Sequence, residues 1–192
     1  MPSNYRIRLA EKHDIAQALA ISNAAAERST ANLALRPEAL DVWERNWEQG
    51  SAFYPWFIAY SPEGRALGFT KSYLHGSREA YDWTCGVSVY VEPEFHGLGL
   101  AAALYGALFL QLEKQGYVTM IAGITSGNAA SERFHAKMGF EQRAQYDRVG
   151  WKFGAWHGVG YWQRHIQTTD AEPRPRKKVL EVIDPQYLPS PP

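Results

Sequence analysis

The segment from Ser88 to Leu104 constrains the fold more than any other part of this chain. A strand-like run, SVYV, enters the turn EPEFHGLG, and that turn opens directly into a helical pattern. Such a turn exposes backbone N–H groups at the positive end of the helix dipole, where an anion can bind. Gly97 and Gly99 leave no side chain between those groups and the anion. The segment therefore predicts a phosphate-binding turn between a strand and a helix.

Several interpretations of this turn compete. A Walker A loop requires a Lys after its second glycine, and none follows Gly99. Residues 97–102 satisfy the dinucleotide pattern G-x-G-x-x-A, but the run Val118–Ile124 supplies no acidic residue for a ribose. An acyl-CoA pyrophosphate loop and a tight turn without any ligand both stay open.

Hydrophobic periodicity predicts seven strands and four helices along the chain. The helices are expected over residues 13–27, 37–49, 99–115 and 128–138, and the strands over residues 5–9, 53–60, 66–74, 82–91, 118–124, 140–149 and 155–163. A run of paired strands followed by alternating strands and helices predicts an α/β (α+β) fold, with one mixed sheet flanked by helices.

Length and charge limit the classes of function. The 192 residues suit one domain, 1–166, followed by a proline-rich C-terminal tail, 167–192. The 20 basic and 20 acidic residues balance, which argues against a nucleic-acid or membrane partner. Cys85 is the one cysteine, so neither a disulfide framework nor a Cys-rich metal cluster is expected, and we predict no metal site. The polar start and the lack of a long apolar run predict a cytoplasmic protein.

The loop His96-Gly97-Leu98-Gly99-Leu100-Ala101 resembles the [Arg/Gln]-x-x-Gly-x-[Gly/Ala] loop of the GCN5-related N-acetyltransferases. Further segments, in the same order along the chain, are similar to the branch that acetylates phosphinothricin and methionine sulfoximine. These segments are STAN (29–32), YPW (54–56), AYDWT (80–84), SVYV (88–91), NAAS (128–131), HAKMGF (135–140) and GWKFGAWH (150–157). The similarity extends to about residue 165.

This resemblance implies a sheet whose central strands splay apart to admit acetyl-CoA as a co-substrate. The backbone of Val89, Tyr90 and Val91 would bind the pantetheine arm, with Asn128 and Ser131 nearby. The pyrophosphate would lie against His96, Gly97, Leu98, Gly99, Leu100, Ala101 and Ala102. The acetyl acceptor would be the primary α-amine of a small amino-acid-like molecule, and the protein would be a homodimer.

Individual residues carry alternatives. Asn128 also stands where a helix N-cap belongs. His135 matches a family position near the CoA sulfur, where a general acid would protonate the leaving thiolate. The resemblance places Arg78 as a clamp on a substrate carboxylate. The other residues expected to bind the acceptor are Thr30, Ser77, Gly86, Val87 and Ser88.

Gly86 departs from the family pattern, since relatives usually carry a Glu there as general base. A glycine inside a strand indicates a bulge or a close backbone approach. Either another carboxylate acts (Glu27, Glu79 and Asp82 are candidates), or no base is needed. An α-amine, with a pKa near 7.7–8.0, is about one-tenth neutral at pH 7 and favours the second case. A non-catalytic acyl-CoA binder, and an acetyltransferase of protein or polyamine amines, remain alternative functions.

Overall fold

A computed structural model describes residues 5–167 and 171–189 of the chain. Its seven strands form a single sheet in the order β1-β2-β3-β4-β5-β7-β6. The strands are β1 (Arg6–Leu9), β2 (Trp56–Tyr60), β3 (Ala66–Leu74), β4 (Thr84–Val91), β5 (Thr119–Thr125), β6 (Glu141–Lys152) and β7 (Ala155–His165). The predicted mixed sheet of about seven strands is confirmed.

The sheet consists of two antiparallel parts that meet along a short parallel contact. Strands β1 to β4 pair antiparallel in sequence order, and β5, β7 and β6 form the second antiparallel part. Between the parts, β4 pairs with β5 only from Thr84↔Thr119 to Gly86↔Ile121. Beyond Gly86 the two strands separate, which is the splay that the resemblance implied.

One helix covers one face of this sheet. The helix α3 (Leu100–Gln115) buries the four leucines whose four-residue spacing predicted it, Leu100, Leu104, Leu108 and Leu112. Each such burial stabilises the fold by about 1.5–3 kcal/mol. Gly116 ends the helix in the left-handed conformation, at φ 92°, and Tyr117 N–H donates to the Leu112 carbonyl at 3.0 Å.

Two helices, α1 (Ile15–Arg28) and α2 (Leu40–Gly50), cover the other face. The predicted start of α2 at Pro37 is wrong by three residues. The side-chain amide of Asn23 explains the difference, because it accepts from Glu38 N–H at 2.9 Å and donates to the Glu38 carbonyl at 3.2 Å. This pair of hydrogen bonds holds Glu38 outside the helix. Among the described residues, no helix combines the length and the apolar character that crossing a bilayer requires.

The described part of the tail packs onto the domain. After α4 (Ala129–Lys137), a last short helix, α5 (Val179–Val182), buries Val179 against the end of α2 and against α3. Val179 N–H donates to the Ala52 carbonyl at 2.8 Å, and Gln111 Nε2 donates to the Val179 carbonyl at 3.2 Å. The expectation of an extended tail over residues 168–170 and 190–192 lies outside the described residues.

Candidate acetyl-CoA and acceptor site

The cleft between the separating strands is a cavity with a volume of about 650 Å³. It runs from the splay point of the sheet to the glycine turn before α3. Its lining residues are Ile21, Ala25, Arg28, Ser29, Ala31, Val87, Ser88, Val89, Tyr90, Val91, Glu92, Pro93, Phe95, His96, Gly97, Gly99, Leu100, Ala101, Ala102, Ala122, Gly123, Asn128, Ala130, Ser131, Phe134, His135, Lys137 and Met138.

One wall of the cleft is a strand edge. Past Gly86, β4 continues to Val91 with β3 on one side and no strand on the other. Its backbone N–H and C=O groups on that side, apart from the Val91 carbonyl that accepts from His96 Nε2, can pair with an extended ligand as a further strand would. The pantetheine arm, which contains two amides, suits such an edge. Val89, Tyr90 and Val91 line the cavity, and their binding of this arm stays a prediction.

The glycine turn forms the far end of the cleft. Gly97 and Gly99 have φ angles of +74° and +84°, a region that side chains disfavour, and space is open where their Cβ atoms would be. Gly99 is the N-cap of α3 and offers no side chain to its first turn. The N–H groups there are therefore left for an anion. His96 lines the cavity while its Nε2 donates to the Val91 carbonyl at 2.9 Å.

Two cations line this cleft that sequence reasoning missed. Arg28 lies in the last turn of α1 and Lys137 in the last turn of α4, against a single lining carboxylate, Glu92, among the described residues. Cations in last turns commonly do no more than complement the helix dipole, so their positions gave no separate signal. Their charge suits the phosphates of a nucleotide cofactor.

Asn128 and Ser131 stand together at the start of α4, on the β5 side of the cleft. Asn128 Oδ1 accepts from Ser131 N–H at 3.2 Å, so Asn128 is the N-cap of this helix. Its side-chain amide nitrogen is not used by this cap. The capping role is thereby observed, and ligand binding by the same residue stays a prediction.

His135 lies at the cavity wall with both ring nitrogens bound to protein. Nδ1 donates to the Ser131 carbonyl at 2.9 Å, and Nε2 accepts from the Tyr105 hydroxyl at 2.9 Å. A carbonyl can only accept, which assigns the proton to Nδ1. Burial lowers the pKa of His135, partly offset by the Ser131 hydrogen bond. The imidazole is thus neutral, and its Nε2 carries no proton that it could donate to a thiolate.

The residues expected to bind the acceptor are divided by the structure. Val87 and Ser88 line the cavity, whereas Thr30, Ser77, Arg78 and Gly86 do not, and neither does Leu98 of the turn. Thr30 lies between two residues that do line it, Ser29 and Ala31. Arg78 and Ser77 are exposed in the loop between β3 and β4. A role for Arg78 therefore requires a substrate that projects out of the cleft.

Gly86 is buried beneath an aromatic ring. A Cβ built at this position would overlap the ring of Tyr73, the residue paired with Gly86 in the neighbouring strand. The predicted bulge is wrong, since the β3–β4 register is continuous from Gly68↔Val91 to Leu74↔Cys85. A close approach to Gly86 is found, but the group that approaches it is the side chain of Tyr73 and not another backbone segment. Periodicity assigns Tyr73 to a strand but gives no sign that its ring lies across the next one.

Comparison with known proteins agrees with this geometry. Residues 20–140 match the model of the Acetyltransferase (GNAT) family. The phosphinothricin N-acetyltransferase of Streptomyces viridochromogenes is 35% identical over 176 residues, covering 92% of this chain and 95% of that protein. The L-methionine sulfoximine/L-methionine sulfone acetyltransferase of Pseudomonas aeruginosa is 35% identical over 174 residues, covering 87% and 98%.

A solved structure adds the cofactor. A Salmonella typhimurium protein described as an acetyltransferase, solved with its cofactor acetyl-CoA, matches with a TM-score of 0.81 and 31% identity. The match covers 88% of this chain and 98% of that one.

Proposed function

We propose the function of this chain from one premise: it belongs to the acetyltransferase (GNAT) family. It is an N-acetyltransferase, and acetyl-CoA is its acetyl donor. We propose that the acceptor is the primary α-amine of a small amino-acid-like molecule, such as phosphinothricin or methionine sulfoximine or sulfone. The names of the two relatives above support this acceptor class.

The observation that carries the proposal is the cleft that opens where β4 leaves β5 and ends at the glycine turn. The strand edge can bind an amide-containing arm, and the uncapped helix N-terminus can bind a diphosphate. The two cations, Arg28 and Lys137, suit further phosphate charge. With the pyrophosphate at residues 97–102 and the arm along residues 89–91, the thioester would lie near Val87 and Gly123, beside the splay point.

The reaction there would be a direct transfer. The lone pair of a neutral amine attacks the thioester carbonyl carbon, the C–S bond breaks, and coenzyme A leaves as a thiolate. The nitrogen loses one proton and the sulfur gains one, so acetyl-CoA and amine become coenzyme A and amide without net proton change. Holding both reactants in line supplies much of the rate. The proton for sulfur is assigned, as a proposal, to water; His135, the other expected acid, could supply it only after its Nε2, which accepts from the Tyr105 hydroxyl, has itself been protonated.

Two measurements test this function. Acetyl-CoA at 100 times its Kd should stabilise the protein by about 2.7 kcal/mol in thermal unfolding. Release of the free thiol of coenzyme A should then be measured against a panel of amino acids and their sulfone and sulfoximine analogues. A protein that shows no shift at millimolar acetyl-CoA contradicts the proposal at its first step.

Within the part of the chain that the structure describes, no carboxylate lines the cleft near the splay point, and this favours one second candidate, a non-catalytic acyl-CoA binder. The two functions share the stabilisation by acetyl-CoA. They differ in thiol release, which the binder does not produce with any acceptor.

We also propose a cytoplasmic homodimer. Support for the dimer comes from the β6–β7 hairpin, which exposes Tyr146, Val149, Trp151, Phe153 and Trp156, each by half or more of its surface. Light scattering would test it, with Trp151→Glu as the variant expected to shift the protein toward monomer. The cytoplasm is proposed because it supplies acetyl-CoA.

A further inference from the structure

The reacting end of the cleft contains no carboxylate. Its walls there are Val87 and Ser88 of β4 and Ala122 and Gly123 of β5. Among the described lining residues the one acid is Glu92, which follows β4 at the other end of the cleft. A general base that could deprotonate an ammonium is therefore not provided by an Asp or Glu of the cavity wall.

Tyr73 occupies the space beside this reacting end. Gly86, which it covers, is the last β4 residue to pair with β5, so the ring lies where the two strands begin to part. Register puts Tyr73 on the same face of the sheet as Ser88, opposite the core cluster that contains Cys85 and Val87. Tyr73 is not among the residues that line the cavity, but it is 41% exposed, so its side chain meets solvent beside the reacting end.

The phenol of Tyr73 is a neutral group. Burial raises the pKa of Tyr73 to about 12, and nearby Tyr90, Cys85 and Tyr161 add to the rise. Tyr161 extends from β7 over Gly123, with its Cε1 4.0 Å from where a Cβ of Gly123 would be. Two phenols from opposite parts of the sheet thus flank the reacting end. A neutral phenol can accept an N–H of an amine, but it cannot hold the proton of an ammonium.

Other titratable groups lie near this place on the strands and helices that pack around it. Lys71 lies on β3 two residues before Tyr73, and its ammonium lies over the rings of Trp43 and Trp56, at 3.9 and 4.7 Å from their centroids. Burial lowers the pKa of Lys71 to about 8, partly offset by the carboxylate of Glu38 before α2, which also acts on Tyr90. On β4 and α4, Cys85 and His135 are buried, and on the α3 side Tyr105 bonds His135.

We propose that Tyr73 forms the acceptor-binding wall of this site in place of a carboxylate base, and that the enzyme accepts amines only in their neutral form. The inference rests on the proposed acetyl transfer and adds to it a specificity-determining residue. Tyr73 accepts one N–H of the incoming amine and so directs the nitrogen lone pair at the thioester. The proton that the nitrogen later loses goes to the thiolate or to water, as in the transfer above.

This arrangement selects acceptors by their own acidity. At pH 7, an α-amine beside an amide carbonyl, as in an amino-acid amide, has a pKa near 7.8 and presents a neutral fraction about a hundredfold or more larger than a lysine ε-amine with pKa near 10.4. A free carboxylate beside the α-amine raises its pKa and reduces that difference. A carboxylate base would reduce that difference, because it would remove the proton from either amine after binding.

The decisive experiment is the pH dependence of kcat/KM for the unaltered protein with two acceptors, methionine sulfone and its carboxamide, whose amines differ in pKa. We expect each profile to rise until the pKa of the acceptor in use, so the break moves when the acceptor is changed. One break shared by both acceptors would overturn the inference, since it would belong to a base of the enzyme. A shared break near pH 8 that disappears in Lys71→Met would assign that base to Lys71.

Variants of Tyr73 test the wall itself. Tyr73→Phe keeps the ring over Gly86 and removes the hydroxyl, so we expect the acceptor KM to rise about tenfold while the KM for acetyl-CoA stays unchanged. Tyr187→Phe is the matched control, because this ring packs on Phe57 at 5.4 Å on the other face of the sheet. A Tyr73→Phe protein that behaves like Tyr187→Phe would contradict the role of the hydroxyl.

A double variant, Tyr73→Gly with Gly86→Glu, reverses the arrangement, since removing the ring leaves room for the new carboxylate. We expect its two acceptors to share one break below pH 7. Retention of separate, acceptor-dependent breaks would contradict the inference. Failure of the proposed function would look different, since the unaltered protein would then release no coenzyme A with any acceptor.

Discussion

The two ends of the cleft differ in the groups that they present to a ligand, which are backbone groups at one end and side chains at the other. At the glycine turn, the ligand would meet main-chain N–H groups, and side chains matter there chiefly by being absent. At the splay point, the walls are Val87 and Ser88 of β4 and Ala122 and Gly123 of β5, with the rings of Tyr73 and Tyr161 beside them. Backbone sites tolerate change in their neighbours because their geometry comes from φ and ψ. The side-chain end can be altered by one substitution, which makes it the place where relatives can diverge in acceptor.

The largest effect is expected when a side chain is introduced into the glycine turn, and this substitution tests whether backbone groups bind the cofactor there. Gly99→Ala places a Cβ on a residue with φ +84°, and we expect it to cost about 1–2 kcal/mol of stability. We also expect acetyl-CoA to bind about a hundredfold more weakly, as measured by calorimetry, because the strained turn no longer presents its N–H groups together.

Gly64→Ala is the control for this prediction. Gly64 has the same φ of +84° and open space at its Cβ, but it lies in the turn between β2 and β3. It should lose similar stability and keep its affinity for acetyl-CoA. Equal affinities of the two variants would show that the turn does not bind the cofactor.

At the other end, Gly86→Ala should act on the acceptor alone. The new methyl group collides with the Tyr73 ring, whose overlapping atoms are at the outer end of a half-exposed side chain, so the ring should move aside at small cost in stability. Steady-state kinetics should show an acceptor KM raised about tenfold, as expected from a lost hydrogen bond, with the acetyl-CoA KM unchanged. A change confined to the acetyl-CoA KM would reverse the assignment of the two ends.

The tail offers a way to sharpen the comparison, since Arg176 contacts Asp82, which precedes β4. Arg176 pairs with Asp82 at 3.0 Å and lies over the rings of Phe53 and Tyr117, at 4.9 and 5.2 Å from their centroids. We expect Arg176→Met to lower the free energy of unfolding by about 1–2 kcal/mol and to raise the acceptor KM a few-fold, because Asp82 lies just before β4.

Arg45→Met is the matched change for Arg176→Met. It removes an arginine whose partner, Asp41, lies one turn away on the exposed side of α2, where an ion pair contributes little. Chemical denaturation of both variants should therefore separate them. A similar small effect for both would leave the tail without a role at the site.

A pH-dependent effect on stability is expected from Lys71, whose buried ammonium forms no ion pair within the described residues. Its pKa in the folded protein, about 8, is below that of the unfolded chain, so the unfolded state binds the proton more strongly between pH 8 and 10. Stability from this group is therefore lowest below pH 8 and rises with pH, by at most about 1.4 kcal/mol per unit. The free energy of unfolding in urea should depend less on pH in Lys71→Met than in the unaltered protein. Parallel plots of this free energy against pH for the two proteins would contradict the prediction.

The sequence predicted the parts of this molecule that depend on local pattern. The leucine spacing of α3, the glycines at positions 97, 99 and 116, and all seven strands are confirmed because period and backbone conformation are local properties. The start of α2 was missed, since Asn23, fifteen residues earlier, determines it through two hydrogen bonds.

The candidate site was predictable to the same extent. The turn and the edge of β4 follow from one continuous segment. Tyr73 over Gly86, and both nitrogens of His135 bound to protein, depend on residues brought together by strand register and helix packing. Residue spacing along the chain does not predict such contacts. The resemblance could therefore identify residues of the acceptor end but not the arrangement of their side chains.

The short contact between β4 and β5 has a mechanical consequence. Within the described residues, three residue pairs join β4 to β5. The two antiparallel parts are also held together by the packing beneath α3 and by Lys152 of β6, whose Nζ donates to the Ala26 and Asn32 carbonyls. A ligand hydrogen-bonded along residues 87–91 would extend the hydrogen bonding of β4 beyond its short contact with β5. It would thereby make the connection between the two antiparallel parts more rigid. Acetyl-CoA would then be a structural member of the enzyme as well as its reagent, and amide exchange along β4 and β5 should slow together when it binds.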